Sequence, residues 1–297
     1  MNYTIHQLQI FLKVVQTQSI TKASEELFMT QPAVSIQLKN LQDQFDIPLT
    51  ELIGRQIYIT EFGKEVAIIA ERVIQELENI NYKTQAFQGM LTGKLKISST
   101  STGKYVIPFF LTGFLEQHAG IDLVLDVTNK SRVVESLKNN EIDFALVSVL
   151  PQKLNIEEEI LIDNKLYLMG HKTFRNEDKP LIYREEGSAT RMVMEGYFET
   201  HEGKQRKRME LTSNEAVKQA VIAGIGNSIM PLIGTHNELI NQEIHIIPTP
   251  GLPIQTDWRL IWLSGKTLSP VSQAFLAYVR QEKQTILNNH FSWYLDY

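Results

Sequence analysis

Thr30-Gln31-Pro32-Ala33-Val34-Ser35, standing behind Ser19-Ile20-Thr21-Lys22-Ala23-Ser24, decides how the first fifth of this chain folds. Thr30 can N-cap a helix, and Ser19 or Thr21 the helix before it, because a hydroxyl there accepts from the orphan N–H groups of the first turn. Pro32 in the first turn costs nothing, since its missing N–H has no intrahelical partner anyway. At about 100° per residue, Val34, Leu38, Leu41 and Phe45 then share one apolar stripe. The opposite face carries Pro32, Ile36, Lys39, Asn40 and Asp43, with Ser35 on its shoulder and Gln31 at the helix start. Two short helices, closely approached at the small Ala23 and followed by such a polar start, have the shape of a helix-turn-helix that enters a DNA major groove.

The flanks agree. Upstream, Ile5, Leu8, Leu12 and Val15 recur at helical spacing beside Phe11, which predicts a first amphipathic helix over residues 4–17. Downstream of Asp46-Ile47-Pro48, a Gly54-Arg55 turn and the alternating Ile57-Tyr58-Ile59 predict a two-stranded wing within 49–60. From there Arg55 can reach a phosphate or a minor groove. Ile36, in the middle of the outward face, has two readings. It contacts a thymine methyl, as apolar side chains can, or it is one ordinary exposed aliphatic residue.

Charge sets a limit on this head. Residues 1–61 hold four basic side chains (Lys13, Lys22, Lys39, Arg55) and six acidic ones, a net of −2, and the whole chain of 297 residues carries −5. Counterion release by Lys and Arg supplies most non-specific DNA affinity. This head must therefore rely on helix N-termini aimed at phosphates and on more than one subunit per duplex.

Between Phe62 and Leu91 there is no proline, and Val66, Ala70, Val73, Leu77, Ile80, Thr84 and Phe87 alternate at spacings of four and three. That seam fits a two-helix coiled coil; an amphipathic helix packed on its own chain is the alternative. Beyond Thr92-Gly93, strand-like and helix-like segments alternate, which implies a mainly parallel sheet with helices on both faces. The first unit runs strand 94–98, helix 108–118, strand 122–128, helix 131–139 and strand 143–148. A second starts near 166–169, with strands at 181–183, 208–211, 228–230 and 244–247 and helices at 189–200 and 214–223. A return strand at 257–263 and a closing helix at 270–283 complete two lobes. Ligands on such sheets sit at the carboxyl ends of strands, here Ser98–Thr102, Thr128-Asn129 and Ser148.

These residues resemble the LysR-type transcriptional regulators. The match is carried by Leu8-Gln9-Ile10-Phe11, Ser19-Ile20-Thr21-Lys22-Ala23, Gln31-Pro32-Ala33-Val34-Ser35, Gly54-Arg55 and Ile59-Thr60. It departs at Ile36 (usually basic or polar), Thr50 (often Phe), Leu52 (often Arg) and Ser24 (often Ala). The resemblance implies DNA contacts by Gln31, Pro32 and Ser35, and a wing contact by Arg55; Thr30, Ile36 and Lys39 complete the expected DNA-facing set. It also makes 62–91 a linker helix pairing two heads, so that a dimer, tetrameric on DNA, reads an interrupted inverted repeat in double-stranded DNA. Farther on, Ser101-Thr102-Gly103-Lys104-Tyr105, Asn129, the run from Arg184 to Arg191, Ser213–Val221 and Leu268-Ser269-Pro270 look most like the branch that controls carbon-fixation operons.

The expected architecture is therefore a winged helix-turn-helix (1–61), a linker helix (62–91) and a two-lobed, periplasmic-binding-protein-like effector domain of type II (92–297). Its first lobe covers about 92–163 and 265–297, its second about 164–264. The branch resemblance implies a small anionic metabolite as effector. Independently, Thr100–Thr102 and Ser188–Arg191 lie where helices begin, and helix N-termini bearing hydroxyls favour anions. The expected effector contacts are Thr100, Ser101, Thr102, Asn129, Ser148, Ser188, Thr190 and Arg191, although Arg191 can instead pair with Glu185 or Glu195.

The remaining signals are weaker. The basic run Lys204–Arg208 reads as a solvated loop more readily than as a nucleic-acid patch. Glu157-Glu158-Glu159 precede a strand and read as an exposed edge. The aromatic stretch 290–297 packs on a groove of its own subunit or a neighbour's. No cysteine, metal-ligand spacing, nucleophile elbow or phosphate loop is present, so no enzyme activity, metal or cofactor is expected. Neither a membrane-crossing run nor a secretory leader is visible, and a cytoplasmic location is the simplest expectation.

Overall fold

The computed structural model describes residues 2–54, 56–86, 91–172, 179–201 and 206–297; the side chains of Glu78, Asn79 and residues 81–86 stand outside the description. The chain divides into two compact units, Met1–Met90 and Leu91–Tyr297.

In the first unit, helices α1 (Ile5–Thr17), α2 (Ile20–Glu26) and α3 (Gln31–Gln42) precede a hairpin of β1 (Thr50–Ile53) and β2 (Gln56–Ile59), followed by α4 (Glu61–Ala86). Each helix start has a local cause. Thr4 and Gln7 form a reciprocal capping box at α1, Ser19 caps α2 through the N–H of Lys22, and Thr30 caps α3 through that of Ala33. Thr60 does the same for α4 and also donates to Pro48 O at 2.7 Å, which fastens the wing to that helix. Gly63 is needed there, because a Cβ would run into the backbone carbonyl of Leu49.

Two stripes differ from their sequence reading. The core face of α1 centres on Leu8, Ile10, Phe11 and Val14, while Ile5 is exposed; residues 5, 8, 12, 15 and 7, 8, 11, 14 are equally good helical sets, and only packing chooses. The seam of α4 divides. Phe62, Val66, Ala67, Ala70 and Ile74 pack into the head's own core, while Ile69 and Val73 are exposed on the adjacent face. Packing on its own chain thus accounts for Val66 and Ala70 of the expected seam, and Val73 is exposed; Thr84 and Phe87 lie outside the described side chains.

The second unit begins with β3 (Gly93–Thr100), a 3-10 turn at Gly103–Tyr105, α5 (Ile107–Gln117), β4 (Ile121–Thr128), α6 (Lys130–Lys138) and β5 (Phe144–Val147). It continues with β6 (Ile156–His171), β7 (Leu181–Arg184), α7 (Ala189–Thr200), β8 (Arg208–Leu211), α8 (Asn214–Ile222), β9 (Ser228–Pro231), α9 (His236–Ile240), β10 (Ile244–Ile246), β11 (Ile254–Leu263) and α10 (Pro270–His290). Strand β3 pairs parallel with β4 and β5 to build the first lobe, and β7 and β8 pair parallel in the second. The two crossing strands break the parallel rule. Long β6 runs antiparallel to β11 from Leu166↔Ile254 to Ile156↔Leu263, and its far half pairs with β9 and β10.

That extra length corrects the reading of Glu157–Glu159: they lie inside β6, not ahead of it. Glu158 takes both oxygens to Arg259 at 2.9 Å, and Glu159 binds Arg280 and Lys283 at 2.9 Å, which holds its carboxyl below the usual range against the opposing effect of burial. Of the basic run, Arg206 donates to Lys179 O and Arg208 opens β8, while Lys204 and Gln205 lie outside the described residues. Among the described residues no helix is long and apolar enough to cross a membrane.

The aromatic tail packs on its own chain. Phe291 meets Phe109 of the first lobe at 5.1 Å, and Trp293 stacks on His236 of the second at 3.7 Å. Between them Tyr294 is buried, its phenol pushed upward in pKa by that burial, and its oxygen accepts from the Lys165 N–H at 2.9 Å. Tyr294→Phe orphans that backbone donor at the crossing strand. We expect a loss of about 1–3 kcal/mol in urea unfolding of the full chain; an unchanged midpoint would show the tail to be a passive cover.

Candidate functional site

The reading surface of the first unit is assembled by capping and burial. With Val34, Leu38 and Leu41 inside, Gln31, Pro32, Ile36 and Lys39 are exposed and Ser35 is half-buried. Thr30 is also exposed, but its hydroxyl is occupied as the α3 cap. Ile36 is 57% exposed, so no core contact accounts for it. Of the basic groups, Lys13 is tied to Glu26 at 2.8 Å, and Arg55 lies outside the described residues. Lys22 and Lys39 remain as exposed cations on the described head.

In the second unit the carboxyl ends of the strands converge on a cleft between the lobes. Thr100 ends β3 and Ser101 and Thr102 follow it, Asn129 and Lys130 follow β4, and Ser148 follows β5; Arg184, Ser188, Thr190 and Asn214 face them from the second lobe. Local bonds fix this lining. Ser101 donates to Thr128 O at 3.1 Å, and Asn129 caps α6 by accepting from the Arg132 N–H at 3.1 Å. Ser188 heads α7 without a side-chain capping bond. Gly187, at φ 83°, brings the turn before α7 against Ser131 of the first lobe, where a Cβ would meet the serine Oγ at 2.6 Å.

Seven of the eight expected effector residues line this cleft: Thr100, Ser101, Thr102, Asn129, Ser148, Ser188 and Thr190. Arg191 does not. Its guanidinium is held by Glu195 at 2.9 Å and Glu210 at 2.6 Å and braces the Arg184 carbonyl from behind. Pairing with Glu195 was one of the two readings open to it, and the facing carboxylate of Glu210 lies too far along the chain to be seen locally.

Sequence reasoning missed two charged groups. Arg184 is 4% exposed in the wall of the cleft, bidentate to Glu185 at 2.7 and 2.8 Å and bonded to Asn214. Its charge is thereby neutralised. Lys130, 9% exposed, bonds Leu150 O at 3.4 Å and contacts Met192 Sδ at 3.9 Å, and among the described residues it has no carboxylate in ion-pair range. Burial pulls its ammonium below the ordinary lysine value. The signal was available, since Lys130 directly follows an N-cap asparagine at a strand end.

A winged helix-turn-helix in one unit, and in the other a two-lobed cleft with hydroxyls and one uncompensated cation at strand ends, define a ligand-sensing DNA-binding regulator. Family comparison agrees: residues 5–64 match the bacterial regulatory helix-turn-helix protein of the lysR family, and 88–284 match the LysR substrate binding domain. The chain belongs to the LysR family of transcriptional regulators. It is 37% identical to the HTH-type transcriptional activator CmpR of Synechocystis, over 94% of this chain and 95% of that one. It is 35% identical to the RuBisCO operon transcriptional regulator of Allochromatium vinosum, over 95% and 97%. The regulatory domain of Synechocystis CcmR, solved in complex with 2-PG, superposes with a TM-score of 0.61 at 31% identity, over 65% of this chain and 98% of that one.

The exposed Ile36 yields a sharp expectation. If it packs on a thymine methyl, replacing that thymine by uracil weakens wild-type binding by about 1 kcal/mol, and Ile36→Ala abolishes the difference. Equal wild-type affinity for the two operators in a gel shift would make Ile36 an ordinary surface residue.

Proposed function

We propose that this LysR-family regulator senses a small anionic metabolite held between the lobes of its effector domain and answers by changing its hold on an operator. The observation that carries the reading is Lys130. A buried ammonium without a counter-ion costs several kcal/mol, and here it stands beside Asn129 and Ser148, whose Nδ2 and hydroxyl can donate to an anion. An anion in the cleft offsets that cost directly. The first ligand to test is 2-PG, which is bound in the similar CcmR regulatory domain.

The relatives named for the RuBisCO operon support genes of carbon fixation as the first targets to examine. On α4, the exposed Ile69 and Val73 support pairing of two copies. Two-fold pairing in turn favours an interrupted inverted repeat, with a tetramer spanning it on DNA. A regulatory role supports a cytoplasmic location beside the DNA, and the names of the relatives, all regulators, support a non-enzymatic role.

Isothermal titration of the full chain with 2-PG tests the reading. Lys130→Met is expected to weaken binding ten-fold or more, about 1.4 kcal/mol, while leaving the urea midpoint unchanged or raised, because the buried charge is gone. The pH dependence has a defined sign. Burial lowers the Lys130 pKa in the free cleft, and a bound anion raises it again. From pH 7 upward, wild-type affinity therefore falls as pH rises through the free-cleft value, and Lys130→Met flattens that slope. Unaltered affinity in Lys130→Met would remove the basis of the proposal.

A further inference from the structure

The cleft is two spaces, not one. Its Lys130 end is one solvent-open pocket. Beside it lies a second, also open to solvent, with Tyr105, Val217, Met230 and Gly234 in its wall. Thr102, Arg184, Thr190, Asn214 and Pro231 border both. In that shared wall Asn214 Nδ2 donates to Thr102 Oγ1 at 2.7 Å, and Asn214 Oδ1 accepts from the Arg184 guanidinium. Thr102 follows β3 of the first lobe and Asn214 opens α8 of the second, so one hydrogen bond both joins the lobes and divides the cleft.

The two ends differ in chemistry. At the first, Lys130 lacks a counter-ion. At the second, Lys218 is already bonded to Glu238 at 2.7 Å and Glu215 at 3.2 Å, and the lining between is largely apolar. Arg184 stands at the boundary: Glu185 takes its Nε and one terminal nitrogen, and Asn214 holds the other. Were Asn214 removed, that terminal nitrogen would face the cleft as an unpaired donor.

We infer that the Asn214–Thr102 hydrogen bond sets the length of the anion this regulator accepts. While the bond stands, a short anion fills the Lys130 end alone. Breaking it lets the Asn214 amide turn out of the shared wall and off Arg184, which joins the two cavities and leaves one Arg184 nitrogen for a second anionic group on a longer ligand. This rests on the anion-sensing reading of the same cleft and adds to it a rule of size, with Asn214 and Thr102 as positioning residues.

The test compares two probes by titration calorimetry on the full chain: 2-phosphoglycolate, short and carrying one phosphate, and fructose 1,6-bisphosphate, longer and carrying two. Wild type is expected to prefer the short probe. Asn214→Ala and Thr102→Val each shift the ratio of the two dissociation constants toward the long probe by about ten-fold, the worth of one hydrogen bond to a charged group. Thr102→Ser, which keeps the acceptor, retains the wild-type ratio. If both probes weaken by the same factor in both variants, the bond only holds the lobes together and the size rule is wrong. If wild type and all variants bind neither probe, the anion-sensing reading itself fails and takes the rule with it. Thr102→Val guards against a folding defect in Asn214→Ala, since it deletes one acceptor and preserves the side-chain shape.

Discussion

The pairing of β6 with β11 is the constraint on which the effector domain depends. The two strands run antiparallel over the whole of Ile254–Leu263, with a single register shift between Trp258 and Arg259. Because β6 continues past this pairing into β9 and β10, the sheet of the first lobe and these two strands of the second share one backbone ladder, while β7 and β8 pair separately. Side chains reinforce it: Asn164 donates to Thr256 at 2.9 Å across the ladder, and Lys165 holds the Tyr294 and Tyr297 carbonyls at 3.2 and 2.9 Å. The Arg259 pairs with Glu158 and Asp257 are partly exposed and each contributes at most about 1 kcal/mol. The ladder and the buried Trp258, not these ion pairs, hold the lobes in register.

Within that frame, the balance of buried charge decides where a ligand's charge belongs. Arg184 is the more deeply placed cation, yet Glu185 neutralises it, and Arg191 is likewise spent on two carboxylates. Lys130 alone among the three has only a carbonyl and a thioether within reach. Hydroxyls at strand ends are common in any α/β fold, because they cap helices. An uncompensated ammonium beside them is not, and the proposed anion site rests on it.

Much of this was legible in the sequence, because the signals were local. Caps at Ser19 and Thr30, the helix at Ala189–Thr200 and the strand at Arg208–Leu211 need only neighbours within a turn or a strand. What escaped was set at long range. The start of β6 is masked by Glu157–Glu159, which are tolerable in a strand because Arg259, Arg280 and Lys283 meet them from more than a hundred residues away. The last turns of α10 contain Asn288-Asn289-His290, poor helix formers, and exist because Ile286 is buried and His290 packs on Phe109. In the site, five hydroxyl and amide groups followed from strand ends, and Ser188 and Thr190 from a helix start. Arg191 was overvalued because its partner Glu210 sits on another element, and Lys130 was passed over because its lack of a counter-ion is visible only in three dimensions.

The central claim is that occupation of the inter-lobe cleft is felt at the operator. The most direct measurement is a DNase I footprint of the full chain on its own upstream intergenic DNA, with and without saturating 2-PG. The account predicts a specific footprint whose extent or internal hypersensitive sites change when the ligand is added. An identical footprint in both conditions, with calorimetry showing the cleft occupied, would contradict it.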